Sequence, residues 1–488
     1  MHQKTFSSDQ KQNCEINIEI LRIYRMNLQK NDIKILIPEG AKKILDTLHN
    51  AGFEAYVVGG CVRDSILSRK PMDFDITTSA LPMEVKSLFK RTIDTGIKHG
   101  TVTVMINKEG YEVTTYRVDG AYEDHRHPKD VTFTSNLLED LKRRDFTINA
   151  MAYNDKDGLV DAFGGIEDLE KGIIRCVGDP MKRFEEDALR ILRALRFSAQ
   201  LSKDGKPYDI DEKTASAMSQ LSQTLKNVSA ERIQTELIKL MTSDHPERLR
   251  LGYELGITKV FFPEFNECIE CSQNNSHHVY NVGDHILRSC MEVPNDKILR
   301  LTMLFHDIGK PRTKTVDEYG VDHFFNHPAV SAEMARSIMH RLKFDNATLK
   351  LVCKLVENHD LLLTDKITEV RVRKAMFKIG PDYFDYFLMI KKADMLAQNH
   401  IYLEEKTNRL KEIKKCADII RERNDCLSLK QLAVKGKDLM DAGVCQGRLI
   451  GSVLEAMLSD VIKNPTHNDK DYLLKHLKNY EVNTDIDS

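Results

Sequence analysis

The chain has 488 residues, 41% of them apolar, and 72 basic against 74 acidic residues leave a formal charge of -2. That is core-forming material for roughly three to four domains, and the balance excludes a global positive field, so any RNA must be met by local patches. No stretch approaches the ~20 apolar residues of a membrane span and the N-terminus lacks a signal-peptide apolar core, so a soluble protein in the cytoplasm is expected, without a membrane partner. The ten cysteines have no regular spacing, and the one CxxC pair, Cys268 and Cys271, has no second pair to complete a zinc site. Reduced thiols are expected.

In chain order, residues 1–34 are polar and irregular and read as a weakly ordered extension, with Met1 and Met26 both candidate starts. Pro38 suits a helix's first turn, and the helix AKKILDTLHNAG that follows is expected to end at Gly52. The strand EAYVVGG comes next. The β-branched runs VTVMI and YEVTTYR are separated by Asn107-Lys108-Glu109-Gly110, a hairpin signal. Two dense blocks follow, LKRRDFTINAMAYN (141–154) and DAFGGIEDLEKGIIR (161–175). From about residue 180, helical periodicity dominates to the end. The fold class is therefore α+β: a mixed α/β head over 35–175, then an all-helical neck (176–265), a body (266–400) and a tail (401–488).

The chemistry begins at Asp73-Phe74-Asp75, shortly after Gly59-Gly60 and Arg63-Asp64. In an extended segment alternate side chains share a face, so the two carboxylates stand roughly 6.6 Å apart. That suits one or two Mg²⁺ ions that also bind triphosphate oxygens. Two solvated aspartates at a strand end would give the same pattern. Arg143-Arg144 offer guanidinium groups matched to phosphate, and Asn149 an amide for a ribose or an active-site turn. The segment RFEEDALRILRALRF (183–197) reads as one amphipathic helix. Phe184, Ala188, Ile191, Leu192 and Leu195 share its apolar face, and Asp187 and Arg190, at i,i+3, are expected to act together. An ordinary helical salt bridge is the plainer reading of that pair.

Taken together, GGCVRD, DFD, RRDFTINAMA, DAFGGIEDL and EDALRILRALRF, from Tyr56 to Phe197, closely resemble the signatures of the class II tRNA nucleotidyltransferases, the CCA-adding enzymes of the polymerase-β superfamily. SAERIQTELIKLM (229–241) resembles the family's later helix. The resemblance implies a polymerase-β-type nucleotidyltransferase head with Asp73 and Asp75 as Mg²⁺ ligands. It implies Gly60 and Arg63 at the incoming triphosphate and Arg144 at the phosphates or sugar. Asp187 and Arg190 would read the base edge, with Arg193 and Arg196 supporting the nucleotide from the same helix. Glu112 is a candidate third carboxylate, or else an exposed strand residue. The implied substrates are CTP, ATP and tRNA. Poly(A) polymerases and enzymes adding only CC or only A share the head signatures; the segment TIDTGIKHGTVTVMI and the loop RVDGAYEDHRHPKDV (117–131) favour full CCA addition.

In the body, His285, His306-Asp307, His327, His359 and Asp394 combine imidazole and carboxylate, donors suited to divalent metals. Leu301, Met303, Leu304 and Phe305 predict a buried helix delivering His306-Asp307 to an interior. The order resembles the HD superfamily of metal-dependent phosphohydrolases, including the extra histidines of its binuclear members. Two outcomes stay open: a working phosphohydrolase of unknown metal, or an HD scaffold retained for RNA binding. In the tail, expected to bind tRNA, Gly443, Gly447 and Gly451 are spaced by four. They read as phosphate-facing amides or as close helix packing, the latter favoured at Gly451, with Lys435 and Lys437 as a modest basic edge. For the whole chain, an HD phosphohydrolase with a nucleotide-sensing head and a non-catalytic RNA-binding protein are the alternatives. No protein partner or oligomeric state is inferable.

Overall fold

The computed structural model describes residues 33–120, 131–363, 366–444 and 447–481. Nearly all of the expected N-terminal extension, Met26 and the centre of the 117–131 loop lie outside them. The chain divides into two compact units, Met1–Arg232 with Glu254–Val260, and Ile233–Tyr253 with Phe261–Ser488.

The first unit is built on helix α1 (Glu39–Asn50) and strand β1 (Ala55–Val58), followed by α2 (Gly60–Ile66), β2 (Ile76–Thr78) and α3 (Pro82–Leu88). Ala41, Ile44, Leu45 and Leu48 bury one stripe of α1, at the spacing an amphipathic helix requires. The helix ends two residues before Gly52, which takes the left-handed φ of 88° that turns the chain into β1. Strands β3 (Thr92–Gly96), β4 (Thr101–Ile106) and β5 (Glu109–Thr115) continue the chain. The expected hairpin is present and tighter than its sequence suggests. Ile106 pairs with Glu109, so the turn is Asn107-Lys108 alone, both at positive φ (50° and 72°). That is the turn whose twist matches its strands.

The short hairpin β6 (Arg117–Asp119) and β7 (Val131–Phe133) leads to α4 (Leu137–Lys142), then β8 (Met151–Asn154), β9 (Gly158–Asp161) and α5 (Gly165–Lys171). The main sheet runs in the order β3-β4-β5-β2-β1-β8-β9. β2 and β5 are parallel, and the other pairs are antiparallel. Helices α6 (Pro180–Glu186) and α7 (Leu189–Gln200) follow.

The second unit is helical among its described residues, apart from the hairpin β10 (Lys314–Val316) and β11 (Asp322–Phe324). Helices α8 (Pro263–Glu270), α9 (Val282–Met291), α10 (Lys297–Phe305), α11 (His327–Arg341) and α12 (Asn346–Asn358) precede α13 (Glu369–Ile379), α14 (Phe384–Leu396) and α15 (Leu403–Glu422). α10 is the expected buried helix: Leu301, Met303, Leu304 and Phe305 are all enclosed. The last helices share a core of Val434, Leu439, Val453, Met457, Val461 and Leu473. The architecture is the expected α+β. No helix of the described residues is long and apolar enough to cross a membrane.

Candidate functional site

Two motifs far apart in the first unit's sequence meet through one backbone bond. The amide of Val58, the last residue of β1, donates to the carbonyl of Asp75 at 3.0 Å. The acidic couplet is thereby pinned beside the turn at Gly59, whose φ of 81° permits the abrupt change from β1 to α2. A Cβ at Gly59 would lie 3.0 Å from Arg144 Nη1, so the missing side chain leaves room for that guanidinium. The parallel pairing of Ile76 with Val113 sets the preceding residues, Asp75 and Glu112, at adjacent strand positions. Burial raises the Asp75 carboxyl above its usual range, Arg144 opposes this, and Glu112 and Asp73 raise it further. Asp73, Asp75 and Glu112 thus form one acidic strand end facing one guanidinium. The donors are all carboxylate oxygens, the kind Mg²⁺ prefers.

The arginines are held by carboxylates that the sequence reading passed over. Asp140, fully buried, accepts from Arg143 Nε at 2.9 Å and from Thr77 Oγ1 at 3.1 Å, and its Oδ2 lies 3.6 Å from Arg144 Nη2. Arg144 Nε is buried without a hydrogen-bond partner. Asp145 accepts from Arg193 Nε at 2.8 Å and from Asn149 Nδ2 at 3.0 Å. Burial opposes the charge, yet Arg193, Asn149 and Arg190 hold its carboxyl far below the usual range. Asn149 in turn accepts from Arg63 Nη1 at 2.6 Å, and Arg63 also bonds Asp64 at 2.9 Å. The guanidinium groups of Arg63, Arg193 and Arg196 all approach the ring of Phe197, at 5.0, 5.3 and 3.8 Å from its centroid. Gly60, at the start of α2, lies against Arg63.

The segment 183–197 is not one helix. Asp187 leaves helical geometry (φ -143°, ψ 102°) and separates α6 from α7. Its Oδ1 accepts the amide of Leu189 at 3.1 Å, a bond that competes with helix continuation. Asp187 and Arg190 each have other side-chain partners. Arg232 Nη2 donates to Asp187 Oδ2 at 2.8 Å, and Arg190 Nη1 donates to Glu186 Oε2 at 2.7 Å. The predicted apolar face nevertheless stands, with Phe184, Ala188, Ile191, Leu192 and Leu195 all buried. Arg193 reaches Asp145, whereas Arg196 is buried against Phe197 and Gln200 rather than lying on a solvated basic face.

In the second unit the predicted histidines converge. His285 Nε2 lies 3.3 Å from Asp307 Oδ2 and 3.0 Å from Asp394 Oδ1, and His306 Nε2 lies 3.3 Å from Asp307 Oδ2. On the other oxygen of Asp307, His327 Nε2 stands at 3.2 Å and His359 Nε2 at 3.7 Å. Asp360, which the sequence reading left out, lies 3.4 Å from both His327 and His359. Its signal was available: His359-Asp360 repeats the dipeptide His306-Asp307.

All four rings are oriented alike. Nδ1 faces a backbone carbonyl, of Ala397, Met303, Phe324 and Val356 for His285, His306, His327 and His359. This fixes the tautomer that leaves Nε2 free to ligate. Against the cost of burial, His306, Lys310 and His285 hold Asp307 well below the usual carboxylate range. The imidazoles of His285 and His306 do the same for Asp394. Asp307 Oδ2 has Lys310 Nζ at 2.7 Å but no directed hydrogen bond. His285, His306 and Asp307 form one metal-sized group and Asp307, His327 and His359 a second, each with ligand atoms within 4.8 Å of one another. The imidazole-carboxylate set fits a pair of divalent cations sharing Asp307.

At Gly451 a Cβ would meet nothing within 4 Å, which overturns close helix packing there. Gly443 and Gly447 take positive φ (93° and 117°). Lys435 Nζ, on an exposed side chain, donates to the carbonyls of Leu429 and Lys430. Cys268 and Cys271 are buried thiols facing the carbonyls of Ile308 and Ser272.

Known proteins resemble the chain in the same order. Three family models match in succession: the Poly A polymerase head domain over residues 55–175, the "Probable RNA and SrmB- binding site of polymerase A" over 207–269, and tRNA nucleotidyltransferase domain 2 over 324–477. The CCA-adding enzyme of Lactobacillus helveticus is 54% identical over 205 residues, 42% of this chain and 50% of that protein. The chain thus spans about half the length of this relative. The CCA-adding enzyme of Levilactobacillus brevis is 34% identical over 439 residues, 89% of this chain and 96% of that protein. The crystal structure of the Bacillus stearothermophilus CCA-adding enzyme in complex with CTP superimposes with a TM-score of 0.67 at 27% identity, covering 93% of this chain and all of that one. With the acidic strand end and its arginines in place, and a relative aligned almost from end to end, the chain belongs to the family of CCA-adding enzymes.

Proposed function

We propose that this protein adds CCA to the 3′ end of tRNA without a template, using CTP and ATP and releasing pyrophosphate. The observation that carries the reading is the β2–β5 register, which sets Glu112 beside Asp75 opposite Arg144. Asp73, Asp75 and Glu112 hold Mg²⁺, which when bound supplies positive charge to the triphosphate and the attacking hydroxyl. Gly60 and Arg63 shape the triphosphate's approach, and Arg144, propped by Asp140, takes phosphate oxygens. Asp187 offers an acceptor and Arg190 a donor to the base edge from either side of the helix break. Such a pair accepts cytosine and adenine and refuses guanine and uracil, whose edges present other patterns. Arg193 aligns α7 through Asp145, and Arg196 supports it from beneath through Phe197. The setting is the cytoplasm, where tRNA ends are completed.

The test is incorporation of labelled CTP and then ATP into tRNA lacking its CCA end. Unlimited A-tailing would mark a poly(A) polymerase, and arrest after one or two additions a CC- or A-adding enzyme. Asp73→Ala is expected to abolish incorporation while tRNA binding persists.

A second reading rests on a separate observation, the two metal-sized groups that share Asp307. We assign the second unit a metal-dependent phosphohydrolase activity of the HD type. His285, His306, Asp307 and Asp394 form one cation site, and Asp307, His327, His359 and Asp360 the other. A bound divalent pair supplies Lewis-acid charge to a phosphoryl group. Hydrolysis of a 2′,3′-cyclic phosphate that requires a divalent metal and is lost in His306→Ala would bear this out; a metal-independent or unaltered rate would not.

A further inference from the structure

The histidine–aspartate cluster opens into a cavity of about 890 Å³, near the top of the roughly 300–1,000 Å³ range of small-ligand pockets. Asp307, His327, His359, Asp360 and Asp394 of the metal-ligand set form its floor. Two cations stand on it: Lys310, whose Nζ is 2.7 Å from Asp307 Oδ2, and Lys391, whose Nζ donates to the carbonyl of His359 at 3.1 Å. A single phosphoryl group at the floor would engage these and the cations held by the ligand set. α15 brings a second set to the same cavity. Lys406 and Arg409, at i,i+3 on one helical face, both line it. Glu405 on that helix lines it too, and the two cations outnumber it.

The mouth is aromatic. His323 stacks on Phe325 (centroids 5.4 Å apart, planes at 8°), and Phe325 is 74% exposed. His277 packs on Tyr402 at 4.6 Å. All four rings line the cavity, and flat exposed rings of this kind are stacking platforms for nucleobases.

We propose that this cavity takes a nucleoside carrying two separated phosphoryl groups: one at the metal-ligand floor, the other on Lys406 and Arg409, with the base against the aromatic mouth. The inference rests on the phosphohydrolase reading and adds the second anion station. Two sources share that chemistry, a free nucleoside bisphosphate and an RNA end whose last phosphodiester supplies the second charge.

The test compares the full-length protein with Lys406→Gln/Arg409→Gln on three substrates in Mn²⁺: p-nitrophenyl phosphate, adenosine 3′,5′-bisphosphate and a trinucleotide with a 3′-phosphate. Losing charge-assisted contacts is expected to lower kcat/KM for the two-phosphate substrates about tenfold relative to p-nitrophenyl phosphate, mostly through KM, with partial rescue by Arg409→Lys. The better of the two substrates identifies the source. An equal loss on all three, or no loss, overturns the second station. Calorimetric binding of the bisphosphate and the trinucleotide, each variant carrying the same head, gives a readout independent of turnover. If no substrate is hydrolysed, the phosphohydrolase reading fails. Binding then still decides the station: weaker affinity in the double variant supports it, and unchanged affinity overturns it.

Discussion

Asp145 shows how one buried carboxylate can organise the arginines of a candidate site. Its carboxylate joins Arg193, Asn149 and the amide of Phe146, so one buried anion ties α7 to the turn after Arg144. Its folded pKa lies far below the usual value near 3.9. The stability it contributes is therefore fully present above the unfolded pKa and is lost as pH falls below about 4. Asp145→Asn leaves the half-buried Arg193 without this counterion and is expected to cost about 2 kcal/mol at pH 7, the scale of a hydrogen bond to a charged group. In urea melts at pH 7 and pH 3 the gap between variant and wild type should narrow at the lower pH. A gap of equal size at both would mean that the ion pair contributes nothing. Asp140 and Asp145 were open to sequence reading, since Asp140 stands three and four residues before the two arginines. The paired guanidinium groups point to an anionic ligand, which obscures the carboxylates of the same segment as their counterions.

At the scale of elements, apolar periodicity gave the elements their buried faces and missed how one of them is cut. The stripe Phe184, Ala188, Ile191, Leu192 and Leu195 runs unbroken across residues 184–195, so nothing in it announces the break at Asp187. The cause is local: an aspartate that satisfies the Leu189 amide can start a new helix anywhere its side chain finds a second partner, here Arg232. That partner lies 45 residues away, where no periodicity points. The break frees Asp187 from the α7 ladder and sets it against Arg232 while Arg190 turns to Glu186. Asp187→Asn keeps the acceptor for Leu189 and so the break, but gives up the charge facing Arg232. It is expected to melt within a few degrees of wild type and to relax base choice. The measurement is the ratio of CTP and ATP to GTP and UTP incorporation; an unchanged ratio with full activity would remove Asp187 from base reading. The hairpin at Asn107-Lys108 is a smaller case. Its strands were legible from their β-branched runs, but its length was not, because lysine rarely takes a φ of 72°.

For the whole molecule, the acidic strand end and the histidine–aspartate cluster lie in different compact units, and the residues of each come from its own unit alone. The ligand sets also differ in kind: carboxylate oxygens in the first, and four imidazoles with three carboxylates in the second. Metal preference should differ accordingly, with Mg²⁺ serving the first and a more imidazole-seeking ion such as Mn²⁺ the second. A ligand that binds only the folded state stabilises it by RT ln(1 + [L]/Kd), about 2.7 kcal/mol at a hundredfold excess over Kd. Micromolar Mn²⁺ is therefore expected to raise the melting transition of the second unit, and His306→Ala to abolish that rise while leaving CTP incorporation in Mg²⁺ intact. Asp73→Ala should do the converse, losing incorporation and keeping the Mn²⁺ shift. Scanning calorimetry with and without Mn²⁺ on both variants decides the matter. If His306→Ala retains the shift, or Asp73→Ala loses it, the ions are bound elsewhere and the cluster around Asp307 is a buried polar network holding α9, α10, α12 and α14 together.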